Sequence, residues 1–285
     1  MTQLIIHRPG IFLTVQDLGR RGLAHLGVAR SGAADRGSLR LANYLVGNDD
    51  GTEGLESVLG GMVLEATGAL VVAVTGAACD VTLNSRLFRR DTRLRLQAGD
   101  VLEVGRVTRG LRVYIAVRDG LDVPRVLGSR SYDQLGQFGP APLYKGDRIT
   151  VGSSPPANHW VKPPLPTEIP AKVELRVIPG PRDEWLDAPG LSQLTDVTWT
   201  VAPSSNRTGL RLSGPPISRR KGELASEGVV PGSLQLPASG QPILLGPDAG
   251  VTGGYPAIAV VVDADLDLAG QLPPGATVSF REIAS

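Results

Sequence analysis

Between Glu223 and Asp263 the chain sets one carboxylate, two amides and several hydroxyls beside glycines: Ser226-Glu227-Gly228, Gln235, Gln241 and Thr252-Gly253-Gly254-Tyr255. Glu227, flanked by Ser226 and Gly228, is placed as a turn carboxylate at a strand end. It is a candidate general base, or an acceptor for a ligand amide N–H. Thr252-Gly253-Gly254-Tyr255 can present backbone N–H groups and a hydroxyl to an oxyanion, the use glycine permits where a ligand must approach the main chain. Gln235 and Gln241 are neutral hydrogen-bonders suited to an amide or ureido group. Arg207, just before Gly209, has the fork that binds a carboxylate or phosphate through two parallel hydrogen bonds. Each has a plain alternative: a solvated turn carboxylate, a tight β-turn, a strand decoration, a surface ion pair.

A second polar set lies near the N-terminus: Gln16, Asp17, Arg20, Ser31 and Asn43. Asp17 also suits a purely structural role. Asp35 stands immediately before an apolar-periodic run and reads first as a helix N-cap. Glu56, beside Leu55 and near Val58, reads as a buried partner for an arginine. Cys79 is the sole cysteine, which excludes a disulfide framework or a cysteine-based metal site. Its setting, Val74 to Val81, makes it a small buried or edge residue. His7, His25 and His159 lack ligand spacing, so no metal centre is expected.

The elements that must hold these groups are mostly strands. Leu4–Ile6, Ile11–Val15, Met62–Ala66, Ala69–Thr75, Asp80–Leu83, Val101–Val104 and Leu111–Val117 are short and punctuated by turn residues, as are Val173–Ile178, Ser233–Pro237, Ile243–Leu245 and Ile258–Val262. Their spacing predicts a barrel or sandwich, not alternating βαβ units. One clear helix starts at Asp35, carries Leu39, Leu41, Ala42, Leu45 and Val46 on its apolar face, and closes at Gly47. Short helical turns are expected at Asp183–Leu186, Leu191–Leu194 and Ala264–Gly270. A small recurrence links the two halves: Leu96-Gln-Ala-Gly99, Leu143-Tyr-Lys-Gly146 and Leu272-Pro-Pro-Gly275 each lead into an alternating strand. The fold class predicted is mainly β with a few short helices. The proline-dense stretch around Ser153–Ala171 divides it into residues 1–155, a linker at 156–171, and residues 172–285.

Length allows two domains with real cores. With 29 basic and 28 acidic side chains the formal charge is +1, which supplies no footprint for nucleic acid or an acidic membrane. Neither a signal peptide nor a bilayer-spanning run is read, so a cytoplasmic location is expected.

Several longer motifs occur in order. Thr14-Val-Gln-Asp-Leu-Gly-Arg20, Gly27-Val28, Ser31-Gly32-Ala33 with Asp35, Ala42-Asn43, Leu45-Val-Gly-Asn48 and Leu55-Glu56 come first. Leu127-Gly-Ser-Arg-Ser131, Ser226-Glu227-Gly-Val-Val-Pro-Gly-Ser233 and Thr252-Gly-Gly-Tyr-Pro256 follow. Together they resemble the biotin-dependent carboxyltransferase family over essentially the whole chain. That family includes allophanate hydrolase subunit 2, the C-type subunit of 5-oxoprolinase, the Kip-type antagonist of a kinase inhibitor, and a segment of urea carboxylase. The resemblance implies two tandem cyclophilin-like β-barrel domains and a hetero-oligomer with a B-type or subunit 1 homologue. It further implies a small amide or lactam substrate, ATP consumed in the complex, and a third lactam-utilisation subunit.

Opening a lactam with ATP needs an acceptor or base, an anion-binding surface and donors for the oxyanion. On the resemblance, Glu227, Arg207 and Tyr255 are the catalytic candidates. Gln16, Asp17, Arg20, Ser31, Asn43, Ser226, Gln235, Thr252, Gly253 and Gly254 are the substrate-binding ones. The chain shows no Walker-type phosphate loop, so any ATP site is unconventional or shared with the partner. It has no Ala-Met-Lys-Met sequence, so no biotin is expected on it. Two departures stand out. Asn206-Arg207-Thr208-Gly209-Leu210 replaces the family's Asp-Arg-Met-Gly-Tyr, and Tyr132–Gly139 is shorter than the usual glycine-rich loop. Two alternatives accompany the ATP-dependent 5-oxoprolinase reading. One is an allophanate hydrolase or urea carboxylase-type subunit; the other is a non-catalytic binding protein that sequesters a kinase inhibitor.

Overall fold

The computed structural model describes residues 1–154, 165–187 and 191–284. Most of the expected linker, 156–164, and His159 lie outside the described residues. The chain forms two compact units. One comprises Met1–Arg20, Asp35–Asp133 and Gln137–Glu168; the other comprises Arg21–Ala34, Gln134–Gly136 and Ile169–Ser285. The second unit thus takes two short pieces from the first half of the sequence.

In the N-terminal unit two sheets enclose one core. The first orders its strands Arg148–Thr150, Gln3–Pro9, Gly60–Ala66, Val101–Arg106, Val81–Leu83, Arg86–Phe88. The second orders them Phe12–Gln16, Gly54–Val58, Arg109–Val117, Leu70–Ala78, Arg93–Leu96. Alternation directs Leu13, Val15, Leu55, Val72, Val74, Val113 and Ile115 into the core they share with Leu4, Ile6, Met62, Leu64, Leu102 and Val104. The same alternation puts Thr14, Glu56, Tyr114 and Thr75 in register across the opposite face of the second sheet, where all four are buried. Helix Arg36–Val46 packs its Ala42 and Val46 on Ala73 and Ala116 of this face.

The helix is bounded as its residues require. The Asp35 carboxylate accepts from the Ser38 N–H at 2.9 Å, and Gly47 takes the left-handed conformation with φ 84°. Arg118 adds a guanidinium N–H to the Val46 carbonyl at 2.9 Å, a cation at the helix's negative end.

The C-terminal unit closes into a barrel in the order Val173–Pro179, Ala257–Val261, Ser233–Gln235, Ile243–Leu245, Gly209–Ser213, Trp199–Val201, Thr277–Glu282. The seam is a parallel pairing of its first and last strands, Val173↔Val278 through Val177↔Glu282. Trp199, Leu175, Val177, Leu234 and Ile258 fill the interior. Short helical turns at Asp183–Trp185, Ser192–Thr195 and Leu266–Ala269 lie where the sequence places them.

The recurring leucine–glycine turn is one structure used three times. Gly99, Gly146 and Gly275 have φ 84°, 94° and 84°, and their N–H groups donate to Ala66, Ile6 and Val201 carbonyls, each at 2.8 Å. In the first two, the next residue's carboxylate accepts a backbone N–H three positions back: Gln97 to Asp100 and Tyr144 to Asp147, both 2.7 Å. In the third turn the equivalent positions are Pro273, which has no N–H, and Ala276. The acid is present where a donor needs it and absent where none exists.

Backbone donation from Gln97, joined by the Asn84 side chain, lowers the Asp100 carboxyl below its usual value. A lowered folded-state value adds stability above the ordinary aspartate range, near about 4, and that stability is lost as pH falls through the folded value. Asp100→Asn is therefore expected to show a shallower fall of urea midpoint between neutral and acid pH than the wild type. An identical fall would show that this carboxylate makes no contribution.

Candidate functional site

The two polar stretches of the second half meet. Glu227–Gly228 pairs antiparallel with Thr252–Gly253, Glu227 opposite Gly253 and Gly228 opposite Thr252. Gln235 lies against this ribbon and donates to the Tyr255 carbonyl at 3.2 Å. A Cβ on Gly253 would stand 2.4 Å from the Gln235 amide nitrogen, so any side chain there would push the glutamine amide out of its present position. Ser226, Thr252 and Gly254 are exposed, and Tyr255 is 47 % exposed. The structure therefore gathers Ser226, Glu227, Gln235, Thr252, Gly253, Gly254 and Tyr255 around one ribbon.

The partner of Glu227 is Arg182, which the motif analysis passes over. Its Nε and one terminal nitrogen reach the same oxygen, Oε2, at 2.9 and 2.8 Å. Hydrogen bonding to Glu227, then the opposite charge, raises the Arg182 guanidinium further above its ordinary value. Arg182 is fixed by a backbone turn: Gly180 N–H donates to Ile258 O at 2.9 Å and Arg182 N–H to Ala257 O at 3.1 Å. The turn presses so closely on that strand that a Cβ at Gly180 would lie 2.2 Å from Ala257 O. The other oxygen of Glu227, Oε1, is shielded from solvent and has no hydrogen-bond partner among the described residues.

Arg207 is placed differently from the expectation of a substrate clamp. Its side chain is 2 % exposed and its fork engages Asp248, 0 % exposed, at 2.7 and 2.9 Å. The same guanidinium donates to Gly32 O at 2.6 Å, while Gln134 N–H donates to Asp248 at 3.0 Å. The carboxylate that Arg207 binds comes from the protein itself, and the pair ties the segments Arg21–Ala34 and Gln134–Gly136 into the C-terminal unit. Ser31 belongs to this assembly too: φ 54°, with its N–H on Pro247 O at 2.8 Å. Asn206 closes a turn by accepting from Thr208 and Gly209 N–H groups at 2.8 and 3.3 Å, an acceptor role an aspartate would fill equally. Gln241 exchanges two 2.9 Å hydrogen bonds with the Gly214 backbone, a structural use.

The N-terminal polar set separates into scaffolding. The buried Asp17 carboxylate accepts from Gly19 N–H at 2.7 Å, from the Ser129 and Ser131 hydroxyls at 2.6 Å each, and from Arg130 N–H at 2.7 Å. Arg20 donates to Val126 O at 3.0 Å and lies 4.6 Å over the Phe138 ring. Gln16 donates to Thr14 Oγ1 and Tyr132 O, both at 3.1 Å. Asn43 stands apart, binding Thr52 O at 2.6 Å and Asn48 at 3.0 Å. Glu56 is buried against Arg112 at 3.3 Å, as the sequence suggests, and also accepts from the Tyr114 hydroxyl at 2.7 Å. That hydroxyl accepts in turn from Asp35 N–H at 2.8 Å. Burial, then the Glu56 charge, pushes the phenol well above its usual value, so Tyr114 keeps its proton and remains the donor.

Burial also pushes the Cys79 thiol up to about 11, which leaves it an inert side chain at neutral pH. Two clefts of about 570 and 540 Å³ open on the N-terminal unit, near Arg95 and Arg118 and near Arg125 and Arg130. None of the candidate residues lines either cleft. Among the described residues no cluster of His, Cys, Asp or Glu suits a metal ion, and no helix is long and apolar enough to cross a membrane.

Comparison with known proteins agrees with this architecture. The chain is 37 % identical over 281 residues to the C-type subunit of 5-oxoprolinase from Escherichia coli, covering 97 % of this chain and 90 % of that one. It is 32 % identical over 276 residues to the same subunit from Haemophilus influenzae, covering 95 % and 88 %. The crystal structure of K. lactis urea amidolyase superposes with a TM-score of 0.91 at 30 % identity; the match covers 99 % of this chain but only 19 % of that much longer one. The model of the carboxyltransferase domain, subdomain A and B, matches residues 26–282. With the ribbon, the barrel and these matches together, the chain belongs to the carboxyltransferase-domain family, subdomains A and B.

Proposed function

We propose that this chain is the C-type subunit of an ATP-dependent 5-oxoprolinase, which opens the lactam to glutamate together with a B-type homologue and a third lactam-utilisation subunit in the cytoplasm. The observation that carries the reading is 37 % identity spread over 90 % of the length of a 5-oxoprolinase subunit. Hydrolysis of an unstrained amide at neutral pH requires activation of the carbonyl and stabilisation of the oxyanion. The ribbon offers an acceptor in Glu227, glycine backbone at 253–254 and the half-exposed Tyr255 beside them. ATP would supply the activation, with its site formed wholly or partly by the partner subunits.

A urea-directed carboxyltransferase is the second reading, favoured by the 30 % identity to Saccharomyces cerevisiae urea amidolyase, of which the chain spans 16 %. The two readings separate on co-expression with the neighbouring subunits. The expected result is glutamate released from 5-oxoproline only when ATP and all subunits are present. Ammonia released from allophanate without ATP would replace the first reading with a urea-type one. Tight association with the partner but no turnover of either substrate would leave a binding role instead.

A further inference from the structure

We propose that Arg182 is a positioning residue: by occupying Oε2 of Glu227 it reserves Oε1 for an N–H of the substrate. This rests on the preceding reading that the ribbon is where the substrate binds. Two guanidinium nitrogens converge on Oε2 at 2.9 and 2.8 Å, so that oxygen is filled and the carboxylate is held against rotation. Among the described residues nothing donates to Oε1, which is out of solvent, a costly state for a carboxylate oxygen unless something donates to it. A ligand N–H supplies what is missing.

Charge decides which part of a ligand turns this way. The third nitrogen of Arg182 faces Glu184 at 3.6 Å, so two carboxylates share one guanidinium. An anionic oxygen lacking a donor repels a ligand carboxylate brought against it, whereas the neutral N–H edge of a lactam or of urea is complementary to it. In a lactam acid the ring N–H faces Glu227 and the acid group points away. The ribbon that carries Glu227 is short, with strands of two residues each, and is bordered by exposed Ser226, Gly228, Thr252 and Gly254. The Gly180 turn fixes the main chain of Arg182, and the two guanidinium hydrogen bonds to Oε2 then set the direction in which Oε1 points.

The test compares binding, by calorimetry on the assembled complex, of 5-oxoproline with its N-methyl counterpart and of urea with tetramethylurea. The wild type is expected to favour the N–H member of at least one pair by about tenfold or more, since a site built to accept a hydrogen bond rejects the analogue that lacks it. Arg182→Ala and Glu227→Ala are each expected to bring that ratio close to one, and Arg182→Lys to restore part of it. Glu184→Gln, which leaves the Arg182–Glu227 contact in place, is expected to keep the wild-type ratio. A merely structural role for Arg182 would weaken both members of a pair alike. Equal binding of both members by the wild type, a preference that survives Arg182→Ala, or no binding of either pair would overturn the inference. Failure of ATP-dependent turnover alone would remove the 5-oxoprolinase reading and leave the urea pair to judge Arg182.

Discussion

Arg207→Ala is expected to cost the C-terminal unit about 3–5 kcal/mol, the range for removing one partner of a buried ion pair. The loss is large because of what remains. Asp248, 0 % exposed, is left buried without the guanidinium, and Gly32 O loses its donor. An isosteric apolar pair avoids that cost, so Arg207→Met combined with Asp248→Leu is expected to recover much of the stability lost by either single change. Urea unfolding of the three variants measures the difference. A single variant within about 1 kcal/mol of wild type would mean that the pair is solvated in solution and that Arg207 is free for a ligand after all.

Asp17→Ala is the second large effect, about 3 kcal/mol, and it acts in the other unit. Four donors converge on this carboxylate, from Gly19, Ser129, Arg130 and Ser131. Removing it strands backbone and hydroxyl groups inside the protein, each a cost of about 1–3 kcal/mol unless water or a new partner reaches it. Asp17→Asn retains an acceptor but brings two N–H groups against donors, so it is expected to lie close to alanine in stability. Amide exchange at Arg130 and Gly19 should quicken in both variants, well ahead of exchange in the sheet core. Unchanged protection at those two amides would contradict the assigned role.

These two residues show where sequence reasoning stops. Asp17 lies in a legible motif, and so does Leu127–Ser131, yet nothing in either indicates that one is wrapped around the other. Arg207 is likewise prominent, but its partner is 41 residues away in an ordinary Gly246-Pro247-Asp248 turn. An arginine advertises that it wants an anion; it does not say whether the anion comes from the chain or from a ligand. Arg182 and Glu227, 45 residues apart, pose the same problem in reverse, since the pairing makes the more interesting of the two residues the one with no motif.

Local grammar fared better. The helix between Asp35 and Gly47 is specified by its own caps and apolar face, and the leucine–glycine turns by the glycine's left-handed conformation. The burial of Glu56 against an arginine follows from its apolar neighbours. Strands Arg86–Phe88 and Arg93–Leu96 escaped notice because they are three and four residues long and carry arginines. The membership of Arg21–Ala34 in the C-terminal unit has no compositional signal, since it is made by backbone contacts such as Ser31 to Pro247.

The parallel seam between Val173–Pro179 and Thr277–Glu282 has a consequence for how the protein is made. A ribosome delivers residues 21–34 early and the strand that shuts the barrel long afterwards, with most of the N-terminal unit synthesised in between. The C-terminal unit therefore waits, incomplete, until that strand has emerged, and long-range closure of this kind is slow. Cells producing the chain faster than nascent barrels can shut should accumulate it in inclusion bodies, and slower synthesis at lower temperature should return it to the soluble fraction.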